Sequence, residues 1–370
     1  MAGRRIKLAA IQAAPIFLDR AATVDKACAL IREGGEAGAD IIGFPEGFVP
    51  THPLWYHFHP ATSREAFEFS KRLSENSLVV PGPETKRLAA AAAEAGTFVV
   101  MGICEALPDR PGTLYNTLVF IDQEGQLVGR HRKLVPTLGE RLVHAPGDAL
   151  GLRAYPTSLA RVAGLMCGEN SNPLATFALD ADAANVHVAS WPSHFNLGVD
   201  MREIILMASR SLAYQIKAFV INAVGEVSDQ MLKDLPATEE HRTFLEARRG
   251  GASIIGPWGN VLAGPLDAGE QILYAEVDLD DLTVPKAIQD FGGHYNRFDL
   301  LQLELHPGEY QNVTRRPSSL VSGGPGVPTE TPEALAGGQP SVRSGRVDPV
   351  GPALLASNQP TRPTTTPEGA

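Results

Sequence analysis

The sequence predicts an α/β fold in which helices cover sheet strands, and three observations predict it. Strand-like apolar runs alternate with helical stretches along the chain. The strands are apolar on both faces, as expected when a sheet is buried between layers. Several neighbouring strands between about residues 97 and 133 follow one another without an intervening helix, which points to more than one sheet.

A strand at 6–12 leads to a helix at about 21–36 and a strand at 40–45, where Ile41-Ile42-Gly43-Phe44 runs into the polar break Pro45-Glu46. Helices near 63–73 and 84–95 precede apolar strands at 97–105, 114–122 and 126–133, with Gly125 in the turn between the last two. The run from Leu159 to Met166 reads as a strand that breaks at Cys167-Gly168-Glu169-Asn170-Ser171-Asn172. Asn172 can cap a helix at 173–181 whose first residue, Pro173, needs no amide hydrogen, so this segment reads as strand, tight turn and helix. Beyond it come a strand at 185–190, an amphipathic helix at about 200–217, and strands at 219–225, 253–257 and 271–279.

With 370 residues and an apolar fraction of 44%, the chain can bury an extensive core. Its 42 acidic residues outnumber 32 Lys and Arg, and no dense basic stripe is present to follow a phosphate backbone, which argues against nucleic acid as a partner. No uncharged apolar run reaches the roughly 18 residues that span a bilayer, so no membrane partner is expected. Arg4-Arg5 followed by Leu8-Ala9-Ala10-Ile11 is too short for an export signal and is interrupted by Gln12, so it reads as the first strand of a cytoplasmic protein. The organisation expected is a domain over 1–305, a linker over 306–316, and a disordered tail over 317–370. That tail is rich in Pro, Gly, Ser and Thr and too poor in large apolar residues to offset its chain entropy.

Three widely spaced cysteines fit neither a disulfide framework nor a zinc site. Cys28 shares a helical face with Val24 and Ile31, and Cys104 sits in an apolar strand, so both read as core. Cys167 differs because its strand ends there, which predicts an exposed thiol with backbone N–H groups close by. Taken alone, it reads first as a buried small hydrophobe. A catalytic thiol needs a base or a positive charge, since only a few per cent is thiolate at neutral pH. Glu46 and Lys133 close other strands; alone, the first reads as a solvated turn and the second as part of a wet basic run.

Phe44-Pro45-Glu46, His131-Arg132-Lys133-Leu134-Val135-Pro136-Thr137 and Gly164-Leu165-Met166-Cys167-Gly168-Glu169-Asn170, in this order and with these gaps, resemble the Glu-Lys-Cys motifs of the nitrilase superfamily of carbon–nitrogen hydrolases. The likeness runs over about residues 6–300. Gly139-Glu140-Arg141 and Ala189-Ser190-Trp191-Pro192 extend it, and Gly293-His294-Tyr295-Asn296-Arg297 resembles true nitrilases more than the amidase branches.

The resemblance implies a four-layer α-β-β-α sandwich and hydrolysis of an organic nitrile to a carboxylic acid and ammonia through a thioimidate and a thioester. It implies Glu46 as general base, Cys167 as nucleophile, Lys133 where negative charge builds, the Gly168 amide assisting, and Glu140 orienting Lys133 and the substrate. It calls for no metal or other cofactor, only water. An amidase or carbamoylase using the same triad is the alternative. One departure is Gly168, where nitrilases usually carry an aromatic residue; less bulk there reshapes the pocket. Trp55, Tyr56, Trp191, His194 and Phe195 lie just beyond the strand ends and read either as pocket walls or as core fillers. As walls they favour an aromatic or arylaliphatic nitrile. Relatives assemble as dimers and spirals, so a dimer-based homo-oligomer is implied by the same resemblance.

Overall fold

Alternation of apolar side chains with a period of two places each strand between two apolar layers. In the computed structural model, which describes residues 4–193, 200–246 and 250–306, this produces four layers. The strands are β1 (Arg5–Ala13), β2 (Ile41–Gly43), β3 (Phe98–Ala106), β4 (Leu114–Ile121), β5 (Leu127–Arg132), β6 (Tyr155–Pro156), β7 (Arg161–Met166), β8 (Val186–Trp191), β9 (Phe219–Gly225), β10 (Ser253–Ile255), β11 (Val261–Ala263) and β12 (Gln271–Asp278). The helices that matter for the layers are α1 (Arg20–Glu36), α2 (Arg64–Asn76), α3 (Pro83–Ala95), α4 (Pro173–Ala181) and α5 (Met201–Ile216).

Hydrogen bonding joins β5-β4-β3-β2-β1-β12 into one half and β6-β7-β8-β9-β10-β11 into the other. Strand pairing joins the halves through β1 and β9, at Gln12 with Val224 and Ala13 with Gly225. Odd and even positions then sort cleanly. Leu8, Ile41, Val100 and Phe120 of the first half face Val162, Met166 and Val188 of the second. Ile11, Ile42, Val99 and Val119 face outward onto Val24, Ala27 and Ile31 of α1 and Leu88 and Ala92 of α3. On the far side, Ala163 and Leu165 pack on Ala175, Ala178 and Leu179 of α4. This is the α-β-β-α sandwich that the resemblance implied. The two halves approach so closely at Gly43 that a Cβ there would lie 2.7 Å from Val188 Cγ1.

The strand expected at 40–45 stops at Gly43 for a physical reason. Phe44 N still donates to Val100 O, but Pro45 has no N–H, and Glu46 N turns to donate to Trp191 O of the opposite half at 3.3 Å. The chain therefore crosses between the two halves at the residue of interest. Asn172 caps α4 as expected, accepting from Leu174 N and Ala175 N. The short β6 and β11 and the tight 3₁₀ turns over Leu54–His57, Leu138–Leu142 and Cys167–Ser171 have no periodic signal, being too brief to carry one. Among the described residues, no helix is long and apolar enough to cross a membrane. The expected tail at 317–370, nearly all of the linker, and His194 and Phe195 lie outside the described residues.

Candidate active site

Four strand ends converge at one rim of the sandwich. Glu46 follows β2, Lys133 follows β5, Cys167 follows β7, and Asn116 lies in β4 where Lys133 N donates to its carbonyl at 2.8 Å. Lys133 is 1% exposed, and its Nζ donates to Glu46 Oε1 at 2.7 Å and to Glu140 Oε2 at 2.7 Å. Asn116 Nδ2 spans the same two carboxylates, donating to Glu46 Oε1 at 2.6 Å and Glu140 Oε1 at 2.7 Å. The run Arg130 to Lys133 is thus not a wet basic surface: Arg130 and Arg132 both bind the buried Glu105, and Lys133 turns inward.

The two glutamates share a cation but not an environment. Glu140 receives two further donors, Thr137 N at 2.8 Å and His144 Nδ1 at 3.2 Å. Burial alone would raise its proton affinity, but the His144 bond and the charge of Lys133 outweigh it, and Glu140 is held well below the usual carboxylate range. Glu46 has no such surplus, and its Oε2 has no partner among the described residues. Burial dominates there, only partly offset by Lys133, and lifts Glu46 to about 7. Two carboxylates pushed apart in this way divide the labour of acid–base chemistry, one a fixed anion and the other a proton acceptor near neutral pH. Lys133 itself is penalised by burial, yet Glu46, Cys167 and Glu140 together hold it firmly protonated.

Cys167 begins its 3₁₀ turn with φ of +49°, a left-handed conformation that costs a non-glycine residue about 1 kcal/mol or more. The surroundings hold it there. Glu169 accepts from Met166 N at 3.1 Å, Leu134 N at 2.8 Å and His131 Nε2 at 3.2 Å, tying the cysteine turn to the lysine turn. Asn170 Nδ2 donates to Cys167 O at 3.0 Å, while its Oδ1 accepts from His187 Nε2 at 2.8 Å.

The thiol does not stand exposed at the strand end, as its sequence position predicted; Cys167 is 5% exposed because β8, α4 and α5 pack around its turn. Burial and the nearby Glu46 carboxylate push its thiol up to about 12, against the pull of Lys133 and the Gly168 amide. At rest it is a thiol, and it needs a base to attack.

The aromatic residues fall elsewhere. Trp55 packs among Phe17, Leu54, Phe58 and Phe69, and Trp191 sits in the core with its Nε1 donating to Asn222 Oδ1 at 3.1 Å. Both are essentially unexposed and pack in the core. Tyr56 is half-buried, shares a hydrogen bond with Ser70 Oγ, and backs onto Gly139 beside Glu140. Gly168 faces open space, since no described atom lies within 4 Å of where its Cβ would stand. One ligand atom each from Glu46, His52 and Glu140 fall within 4.8 Å of one another, a set that could hold a metal. The Lys133 ammonium already occupies an oxygen of both glutamates, so a metal would have to displace it.

A carbon–nitrogen hydrolase family model matches residues 7–286, most of the chain. The chain belongs to the carbon–nitrogen hydrolase family. This hydrolase is 39% identical over 312 residues to "Nitrilase 2" of an unknown prokaryotic organism, covering 84% of this chain and 96% of that protein. To an "Aliphatic nitrilase" of Rhodococcus rhodochrous it is 37% identical over 309 residues, covering 81% and 82%. Its fold is similar to that of a carbon–nitrogen hydrolase from Helicobacter pylori, with a TM-score of 0.62, 18% identity, and 77% and 93% of the two chains covered. A member of branch 10 of the nitrilase superfamily from Saccharomyces cerevisiae gives a TM-score of 0.60, 17% identity, and coverage of 78% and 95%.

Sequence reasoning singled out Glu46, Lys133, Cys167 and Glu140, and three of these meet in direct contact, with Cys167 close enough to feel all three charges. It passed over Asn116, His144, Glu169 and Asn170. Glu169 and Asn170 stood inside the cysteine motif, and His144 one helical turn after Glu140, but nothing in the one-dimensional pattern marks whom they face.

Proposed function

We propose that this hydrolase converts an organic nitrile to the carboxylic acid and ammonia, with Cys167 as nucleophile, Glu46 as general base, Lys133 as the stabiliser of developing negative charge and Glu140 as its fixed counter-ion. The observation that carries the reading is one buried ammonium between two carboxylates of opposite proton affinity, beside a cysteine held in a strained turn. The names of the relatives support the nitrile as substrate.

The chemistry follows from these roles. Glu46 takes the thiol proton as sulfur bonds to the nitrile carbon, and one C–N π bond opens onto nitrogen, which collects a proton to give the thioimidate. Two of the three Lys133 Nζ–H groups are engaged by Glu46 and Glu140, and among the described residues the third has no acceptor, leaving it for the substrate nitrogen. Water, losing its proton to Glu46, adds to the thioimidate carbon; protonated nitrogen leaves as ammonia and a thioester remains. A second water releases the acid and returns the proton to sulfur. Overall, one nitrile and two waters give one acid and one ammonia.

The base must be ionised to begin, so kcat/KM should rise with pH through an acidic limb near 7, where Glu46 loses its proton. A limb near 4 to 5, the ordinary range of an unperturbed glutamate, would reject this assignment.

On substrate class, the space at Gly168 supports a bulky aromatic or arylaliphatic nitrile, whereas the buried Trp55 and Trp191 no longer lend support. Gly168→Trp should fold with stability changed by less than about 1 kcal/mol, since its Cβ meets no described atom beyond the chain neighbours, and should lose arylaliphatic more than small aliphatic turnover. Equal losses on both would show the space unused. The decisive test is ammonia release, with product mass, across aromatic, arylaliphatic and aliphatic nitriles and their amides; turnover of amides alone would move the enzyme to amide hydrolysis. Exposed Leu174 of α4 and Met207 and Tyr214 of α5 support a homo-oligomer built on that face, to be checked by light scattering.

A further inference from the structure

Glu46 and Glu140 touch the same ammonium and the same amide group, so by those contacts they are equivalent acceptors for a proton. Only the additional donors to Glu140 separate them. One is a backbone N–H, Thr137; the other is a side chain, His144, that no step of the reaction requires. We propose that His144 is a positioning residue that holds Glu140 as the ionised partner of Lys133 and so leaves Glu46 as the sole proton acceptor. The proposal rests on the reading of Glu46 as base.

His144 is fixed for this task. It follows the 3₁₀ turn Leu138–Leu142, with its own N–H donating to Glu140 O at 2.9 Å, and a β-bridge to Leu114 pins its backbone beside β4. Its side chain is fully buried. A carboxylate oxygen can only accept, so Nδ1 must carry the proton. The Nε2 of the same ring has no partner among the described residues, which a bare lone pair tolerates better than a second buried N–H. Nδ1 is therefore the nitrogen that presents its N–H to Glu140. The titratable and charged groups gathered around Glu140 are Lys133 after β5, Glu46 after β2, His52, Cys104 of β3, Cys167 after β7 and His144 itself. Lys133 and His144 donate to it directly.

Without the His144 donor, Glu140 draws more of Lys133 and of Asn116 to itself. Glu46 is left with less of both, and its proton affinity rises. The acidic limb of kcat/KM then moves to higher pH, with KM on the alkaline plateau unchanged.

Two variants separate this from packing. His144→Phe keeps a flat ring and removes the donor; His144→Asn loses the ring but presents an amide N–H where Nδ1 stood. The expected result is a limb raised by about one pH unit in His144→Phe, and hence about tenfold lower activity below the limb, with the limb restored in His144→Asn. A wild-type limb in His144→Phe, or a limb in His144→Asn shifted as far as in His144→Phe, overturns the proposal. A second measurement needs no variant to fold: ¹⁵N-histidine NMR of the full chain should find this ring neutral with its proton on Nδ1, and a proton on Nε2 at pH 7 to 8 overturns the assignment. Failure of the underlying reading looks different, as nitrile turnover surviving in Glu46→Gln.

Discussion

Cys167→Ala should lower nitrile turnover by at least about 10⁴-fold while the protein remains folded. Sulfur is the atom that forms the covalent intermediate, and neither the water nor the backbone near it can replace a soft nucleophile at a nitrile carbon. The fold, by contrast, does not lean on the sulfur. The contacts that hold the turn run through the Glu169 and Asn170 side chains and the Cys167 carbonyl, all kept in the variant, and alanine meets the left-handed φ of +49° with no more strain than cysteine. Glu46→Gln should fall nearly as far, because a thiol pushed up to about 12 is almost wholly protonated at neutral pH, and Glu46 is the carboxylate beside it that burial lifts to about 7. Since both residues serve one step, the double variant should be no slower than the worse single one. Ammonia release with product mass, alongside thermal unfolding of each variant, measures all of this. Residual acid formation within a hundredfold of the native rate in a folded Cys167→Ala would sink the covalent mechanism.

The layers of the sandwich were legible because they rest on local repetition. Leu8, Ala9, Ala10 and Ile11 alternate faces whatever surrounds them, and Asn172-Pro173 starts a helix by its own chemistry. Glu46, Lys133, Glu140 and Cys167 were legible because each ends or follows an element whose motif resembles a known family. What could not be read is mutual orientation. Whether Trp55 and Trp191 wall a pocket or fill a core depends on which side of the rim their elements turn, and both turned inward. The cysteine reads as exposed from its strand end, because the elements that close over it, β8 and α5, come later in the chain. Asn116 and His144 gain meaning only from a carboxylate brought to them by the fold: Asn116 lies 70 residues from Glu46 and 24 from Glu140.

Lys133→Met should destabilise the fold by about 3–5 kcal/mol at pH 8, the cost of stranding buried charge without its partner. Methionine fills nearly the same volume, so the loss is electrostatic and not a cavity. Two carboxylates, both 1% exposed or less at their side chains, would face each other with only Asn116 between them. The penalty must then depend on pH, and its sign can be worked out. In the variant, burial and mutual repulsion raise the folded-state pKa of the pair above that of the unfolded chain. The folded variant therefore binds protons more tightly than its unfolded form, and it gains relative stability as pH falls through the raised values. The native protein gains part of the same stability through Glu46, already raised to about 7, but for one carboxylate and over a narrower range; its Glu140, with a depressed pKa, instead loses stability as pH falls below the unfolded value of roughly 4.3. The gap between variant and native therefore narrows on acidification, already between pH 8 and pH 5.5. Denaturant midpoints at those two pH values are the measurement. A gap that is absent at pH 8, or unchanged at pH 5.5, would mean that Lys133 does not neutralise this pair. Lys133→Arg should not restore activity even where it restores stability: a planar guanidinium is too broad for a space that one Nζ fills at 2.7 Å from both carboxylates, and it cannot aim a third N–H at the substrate as the ammonium does.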